Sequence, residues 1–242
     1  MANIISIIIP SRNDPDLERT IADLKAKAEG EIEILSILDK PMRQAINEGV
    51  AQSKGNYIMK CDAHCVFGQG WDRILTENIE DNWVVTPRRL ALNTKKWEIM
   101  DDIPPVDYMR LFVSEDKIGG HGWDRPDRKD VMVDETMVFQ GSCWLMSRKH
   151  WDWMGELQTE GYGTFTQEPI EICLKTWLGG GKVMVNKNTW YAHKHRKHGR
   201  TYAGLTSSQE VKDGNAYSKD FWLNNRWDRR IHDLDWLLNK WK

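Results

Sequence analysis

The chain is short of cysteine, of long apolar runs and of net charge. Four cysteines in 242 residues (Cys61, Cys65, Cys143, Cys173) are too few for a disulfide framework. The Cys61/Cys65 pair has no second close pair with which to build a zinc ribbon, so reduced thiols in a cytoplasmic protein are expected. The longest apolar stretch, Ile4 to Ile9, is interrupted by Ser6 and stopped by Pro10. It falls far below the ~20 residues of a membrane span, and no Lys or Arg precedes it as in a signal peptide. With 34 basic and 36 acidic side chains the formal charge is −2, which excludes polyanion binding by net charge but leaves room for a local basic patch. Internal repeats and low-complexity tracts are also missing. What remains, 40% hydrophobic and 29% charged residues, is the composition of a globular protein with a real core.

The first sixty residues alternate strand and helix patterns. Ile4 to Ile9 reads as a strand buried on both faces. A helix beginning near Asp14 and Pro15 carries Leu17, Ile21, Leu24 and Ala28 at helical spacing and stops at Gly30. Glu31 to Leu38 reads as a strand, Met42 to Ser53 as a helix closed by Gly55, and Tyr57 to Lys60 as a third strand. That order argues for an α/β domain with a mostly parallel sheet and right-handed crossovers. Ligands in such sheets bind beyond the carboxyl ends of the strands, which places Ser11 to Asp14, Asp39 and Asp62 to His64 along one edge. A helix at Trp71 to Ile79 and a strand at Trp83 to Thr86 follow. Residues 88–135, rich in charge, Pro and Gly, read as a long insertion rather than more sheet. Regular structure returns with Met137 to Met146, a helix at Glu168 to Leu178 and a strand at Lys182 to Val185. The last forty residues carry Phe221, Trp222, Trp227, Leu234 and Trp241 in a pattern of amphipathic helices packing back on the domain.

Asp62 and His64 are the first chemical signal. In an extended segment, side chains at i and i+2 point the same way, so a carboxylate and an imidazole there can reach one ion. The same pair also arises as a turn cap beside a surface histidine. Two longer patterns add weight. Arg43-x3-Asn47-x-Gly49-x5-Gly55-x-Tyr57-x3-Cys61-Asp62-Ala63-His64 resembles the nucleotide-sugar transferases of the GT-A (Rossmann-like) fold, family 2 and its relatives. The Asp-x-His-Cys form looks most like the polypeptide N-acetylgalactosaminyltransferases. Glu168-x-x-Glu171-Ile172, Trp177-x-x-Gly180-Gly181 and His193-x-x-Arg196-Lys197 are similar to a second series of motifs in that family, in the same order.

The resemblance implies a GT-A catalytic domain over residues 1–198 and a helical tail over 199–242. Within the domain, 1–87 would be the nucleotide-binding half, 88–135 an insertion or flap and 136–198 the acceptor half. It implies a divalent metal, Mn²⁺ or Mg²⁺, held by Asp62, His64 and His193 against the donor diphosphate. Ser11, Arg12, Asn13 and Asp39 would line the nucleoside pocket, Arg43 would belong to the donor site, and Arg196 and Tyr202 would contact phosphates. Glu168 would stand near the sugar and acceptor as the catalytic acidic residue. Gly141 would let the backbone approach the sugar. Asp39 stands alone where many relatives carry two acidic residues, and Gln167 and Pro169 depart from the pattern beside Glu168. The implied reaction moves a sugar from a nucleotide diphosphate, in first place a UDP-sugar, to a hydroxyl, with retention favoured over inversion.

The basic run His193-Lys194-His195-Arg196-Lys197-His198-x-Arg200 suits a diphosphate clamp, a solvated turn, or contact with a polyanionic acceptor. Its form also resembles compact phage transferases that glycosylate hydroxymethylated pyrimidines, so duplex DNA stands beside a glycan or protein hydroxyl as acceptor. A non-catalytic sugar- or DNA-binding module is a further alternative. A nucleotidyltransferase is a third, disfavoured because Ser11-Arg12-Asn13-Asp14 is not a Gly-rich phosphate loop. Of 13 tryptophans, Trp97, Trp123 and Trp222 lie in polar surroundings suited to stacking, whereas Trp144, Trp177 and Trp236 suit the core. Gly119-Gly120-His121-Gly122-Trp123 reads either as a mobile flap with an aromatic tip or as a plain surface loop.

Overall fold

A computed structural model describes residues 4–195 and 206–242. Among them, the path through the central sheet runs β2 (Ile32–Leu38), β1 (Ile5–Ser11), β3 (Tyr57–Cys61), β10 (Cys143–Ser147), β5 (Trp83–Asn93), β11 (Lys182–Lys194) and β4 (Cys65–Phe67). β2, β1, β3, β5 and β11 run one way, with β10 and β4 against them. The sheet is therefore mostly parallel, as the alternation at the N-terminus predicts.

Helices cover both faces. Ile5, Ile7 and Ile9 meet Leu24 of α1 (Leu17–Lys27) and Trp71 and Leu75 of α3 (Trp71–Thr76). Ile8, Ile58, Val84 and Trp144 face the other way. There they meet α2 (Met42–Gln52), α4 (Arg148–Met154), α5 (Glu168–Leu178) and the tail helices α6 (Ser208–Leu223) and α7 (Leu234–Asn239). A strand covered on both sides favours apolar residues at successive positions, which is why β1 is mostly isoleucine, with only Ser6 breaking the run before Pro10. Ile7, Ile8 and Ile9 are fully buried, each contributing about 2 kcal/mol of apolar transfer. Of the tail residues, Phe221, Trp222, Leu234 and Leu237 are buried in the core. Among the described residues, no helix is long and apolar enough to cross a membrane. All four cysteines are unpaired and buried.

The segment 88–135 differs from the expected irregular insertion. β5 does not stop at Thr86 but continues to Asn93, and β6 (Glu98–Ile99) pairs with its far end. β7 (Met109–Val113) and β8 (Ile118–Gly122) form a separate hairpin, and β9 (Val133–Glu135) pairs with β11. β11 likewise runs nine residues beyond the expected Val185. Both extensions are hidden by one irregularity: the β5/β11 register shifts between Asn186 and Trp190, where Asn186 faces Pro87. A bulge there absorbs the proline and a polar run that look like strand endings.

The glycines of the expected flap are strand residues. A Cβ on Gly119 would stand 2.6 Å from Phe112 Cζ, and one on Gly120 would stand 3.1 Å from Val138. Their smallness serves packing rather than hinging. Trp222, expected to be available for stacking, is 1% exposed, with its indole N–H on Tyr162. Trp97 and Trp123 lie against Arg19 and Arg125.

Candidate active site and metal centre

The carboxyl ends of β1, β2 and β3 carry Ser11, Arg12, Asp14, Asp39 and Asp62 to one edge of the sheet. They line a cavity of about 260 Å³, closed on its other side by Met42, Thr164 and Phe165. Asn13 (φ 49°) and Asp39 (φ 57°) turn the chain here in the left-handed region, which short polar side chains tolerate. Asn13 is exposed and turns the loop without lining the cavity.

A second cavity, about 390 Å³, adjoins the first: Met42, Asp62 and Phe165 belong to both. Lys60, Gly141, Glu168 and His193 form part of its wall, with Gly119 and Gly120 from the hairpin and Asn215 from α6.

Three donor atoms converge at the junction. His193 Nε2 lies 3.0 Å from Asp62 Oδ2 and 3.1 Å from His64 Nε2, and the third separation, His64 Nε2 to Asp62 Oδ2, is 3.9 Å. The sheet explains how histidines 129 positions apart meet. In the antiparallel pairing of β11 with β4, His193 is the register partner of Cys65, the residue after His64. This placement depends on the extension of β11 beyond the bulge.

Second contacts orient the imidazoles. His64 Nδ1 is 2.8 Å from Asp14 Oδ2, which fixes the proton on Nδ1 and leaves the Nε2 lone pair facing the cluster. Burial tends to raise the Asp14 carboxyl, but the His64 bond and the Asp16 backbone N–H outweigh it and hold it low. Burial pushes His193 down to about 4 against the pull of Asp62, so this imidazole is neutral at ordinary pH. Arg89 Nη2 sits 3.3 Å from His193 Nδ1, at the long end for a hydrogen bond. Asp62 stays well below the usual carboxylate range despite burial, because Lys60 and His193 favour its charge. A carboxylate oxygen and two imidazole nitrogens, all within 4.8 Å of one another, suit a borderline divalent ion such as Mn²⁺.

Glu168 opens α5 at the floor of the second cavity, with Pro169 in the first turn, where a missing N–H costs nothing. It is 1% exposed and accepts a hydrogen bond from Trp144 Nε1. Burial raises its pKa, with Lys60 and Trp144 opposing.

Not every expected site residue reaches the site. Arg43 is fully buried in α2 and lines neither cavity. Its guanidinium pairs with Glu171, donates to the carbonyls of Thr166 (2.8 Å) and Gln158 (2.9 Å), and lies over the Tyr162 ring. Glu171 also binds Lys175 at 2.8 Å. The motif arginine and the second motif glutamate thus tie α2 to α5. Arg196 and Tyr202 lie outside the described residues, as does most of the basic run. Within that run, Lys194 pairs with Asp16 at 3.3 Å.

Arg89 and Lys60 are not anticipated by the sequence, and Asp14, expected at this edge, is not anticipated as the partner of His64. Lys60 had a visible signal, since it shares the i, i+2 face of Asp62.

Residues 42–153 match the family described as Glycosyl transferase family 2. The putative polypeptide N-acetylgalactosaminyltransferase 13 of Drosophila melanogaster is 25% identical over 167 residues, which is 62% of this chain and 27% of that protein. The chain thus spans about a quarter of the length of the curated relative it matches. The crystal structure of GalNAc-T7 with UDP, GalNAc and Mn²⁺ superposes with a TM-score of 0.75 at 17% identity, over 99% of this chain and 56% of that one. The structure of A197 from STIV aligns with a TM-score of 0.48 at 12% identity, over 80% of this chain and 86% of that one. The chain thus has the GT-A fold, and residues 42–153 of it match the Glycosyl transferase family 2 model.

Proposed function

We propose that the chain transfers a sugar from a UDP-sugar to a hydroxyl acceptor, with a divalent metal bound by Asp62, His64 and His193. The convergence of those three ligands at the junction of two cavities carries the reading. The first cavity, with Asp39 and Ser11 at its edge, takes the nucleoside, and the second takes the sugar and the acceptor hydroxyl. The solved neighbour of the same fold holds UDP, GalNAc and Mn²⁺, which supports the choice of donor and metal. When bound, the metal would screen the diphosphate charge as the glycosidic bond breaks. His64 turns its Nε2 lone pair to the site, kept oriented by Asp14, and His193 Nε2, hydrogen-bonded to Asp62 Oδ2 at 3.0 Å, would exchange that bond for the ion.

Retention fits the environment of Glu168. Its carboxyl is buried and already engaged by Trp144, so it is better placed to position the sugar than to meet an incoming hydroxyl. In that reaction the C1–O bond to the diphosphate breaks, the C1–O bond to the acceptor forms on the same face, and the acceptor proton passes to the departing phosphate oxygen. Nothing in the described part of the basic run favours a DNA acceptor over a glycan or protein hydroxyl.

A panel of nucleotide sugars with Mn²⁺, read by thermal shift and donor hydrolysis, tests the reading. A UDP-sugar should stabilise the fold and be hydrolysed only with metal present. Equal hydrolysis in chelator would remove the metal role, and a product of inverted anomeric configuration would remove retention.

A further inference from the structure

The cluster contains a cation that metal binding does not call for. Lys60 is 1% exposed, and its Nζ donates to Asp62 Oδ1 at 2.6 Å and to the carbonyl of Gly141. Asp62 therefore divides its carboxylate, with Oδ1 on the lysine and Oδ2 facing the two histidines. The division follows from the end of β3: Asp62 is the residue after the strand and still bonds its N–H to the Ser142 carbonyl, so residues 60 and 62 keep the same-side relation of an extended chain.

Charge decides the consequence. Two of the three ligands are uncharged imidazoles, so Asp62 supplies the formal charge of the set. The ammonium beside it offsets that charge where a dication would sit, in a buried site where screening by water and salt is weak. Asp14 adds a negative charge only from behind the ring of His64. The protein alone thus offers a metal good geometry but little net negative charge, and a donor diphosphate brings the charge that is missing.

We infer that Lys60 makes metal binding conditional on the donor: it orients Asp62 as a one-oxygen ligand and keeps the triad from holding the ion tightly until a nucleotide diphosphate arrives. This rests on the proposed metal-dependent use of a UDP-sugar. It gives Lys60 a positioning and gating role, and by linkage the diphosphate and the metal strengthen each other by the same factor. When the diphosphate departs, the ion loses its tight site and leaves with it.

The test is a Mn²⁺ titration followed by electron paramagnetic resonance, with and without UDP, on the wild type, Lys60→Gln, Lys60→Met and Lys60→Arg. UDP should tighten Mn²⁺ binding to the wild type by at least ~10-fold. Gln keeps a donor for Asp62 Oδ1 without the charge, so Lys60→Gln should bind Mn²⁺ alone about 10-fold more tightly and lose most of the UDP effect. Lys60→Met should move the same way, and Lys60→Arg should keep the wild-type pattern. Folded neutral variants with unchanged or weaker Mn²⁺ affinity would overturn the inference. So would a wild type that holds Mn²⁺ equally well with and without UDP, a result that needs no variant. Failure to take up Mn²⁺ even with UDP is a different result, and it would remove the metal-dependent function itself.

Discussion

A methyl group on Gly141 would stand 2.2 Å from Glu168 Oε2, too close for any real pair of atoms, and 3.2 Å from the Pro169 ring. The glycine is the condition for the glutamate's position. Glu168 cannot simply swing aside, because its carboxyl is buried and bound to Trp144. Gly141→Ala should therefore displace the carboxyl and lower kcat by about 100-fold, while the nucleotide and metal contacts near Asp62 stay in place. Glu168→Gln, which keeps the shape, should lower kcat without changing Mn²⁺·UDP binding. Steady-state kinetics with a parallel UDP titration decide the point; a Gly141→Ala enzyme with wild-type kcat would show that the position of Glu168 does not matter.

The metal ligands should not respond alike to truncation. His193→Ala removes one imidazole and should cost at least ~1000-fold in metal-dependent turnover, with only a modest change in Tm. Asp62→Ala should cost as much turnover and also destabilise the fold by about 3 kcal/mol, because it deprives the buried Lys60 ammonium of its carboxylate. Thermal melts of the two variants without metal separate the cases. Equal Tm values would mean that the Lys60–Asp62 pair contributes little to the fold.

Much of this arrangement can be read from the chain, and the parts that cannot have physical reasons. The three N-terminal strands are legible because strands covered on both faces are continuous apolar runs, punctuated here by Gly30 and Gly55. Asp62 and His64 are legible as a carboxylate and an imidazole two residues apart, although residues 63–64 form a bend between β3 and β4 rather than the extended segment expected. The path of β11 is not, since Asn186, Lys187 and Asn188 look like a loop. Lys187 is nevertheless buried, with its ammonium satisfied by the carbonyls of Arg128 and Lys129, which no local pattern announces. Arg43 is the opposite case. An arginine on that helix reads the same whether it faces a phosphate or Glu171, a partner 128 positions away that only the folded chain reveals.

Arg43 therefore yields a prediction that sets the packing role against donor binding. Arg43→Met leaves Glu171 buried with only Lys175 as a charged partner and breaks two bonds to backbone carbonyls. A loss of about 3–5 kcal/mol in unfolding free energy is expected. KM for the donor in the protein that remains folded should be unchanged. A large rise in KM with little loss of stability would return the guanidinium to the donor site.

Acid sensitivity should have a source outside the active site. His150 is 2% exposed, stacks on Trp153 and shares a hydrogen bond of 3.0 Å with Thr176 Oγ1. Burial lowers its pKa from 6.5 to about 4. The unfolded chain therefore binds a proton over this range that the folded chain refuses. The stabilising contribution is complete above about 6.5 and is lost progressively as the pH falls toward about 4. Between about pH 7 and about pH 5 the loss from this residue is about 2 kcal/mol. His193, with the same direction of shift, adds to it when no metal is bound. His150→Gln keeps a polar partner for Thr176 and removes the titration, so its Tm should fall less steeply over that range than the wild type's. Urea unfolding of both proteins in a pH series gives the difference directly, and parallel curves would show that His150 is not the group being protonated.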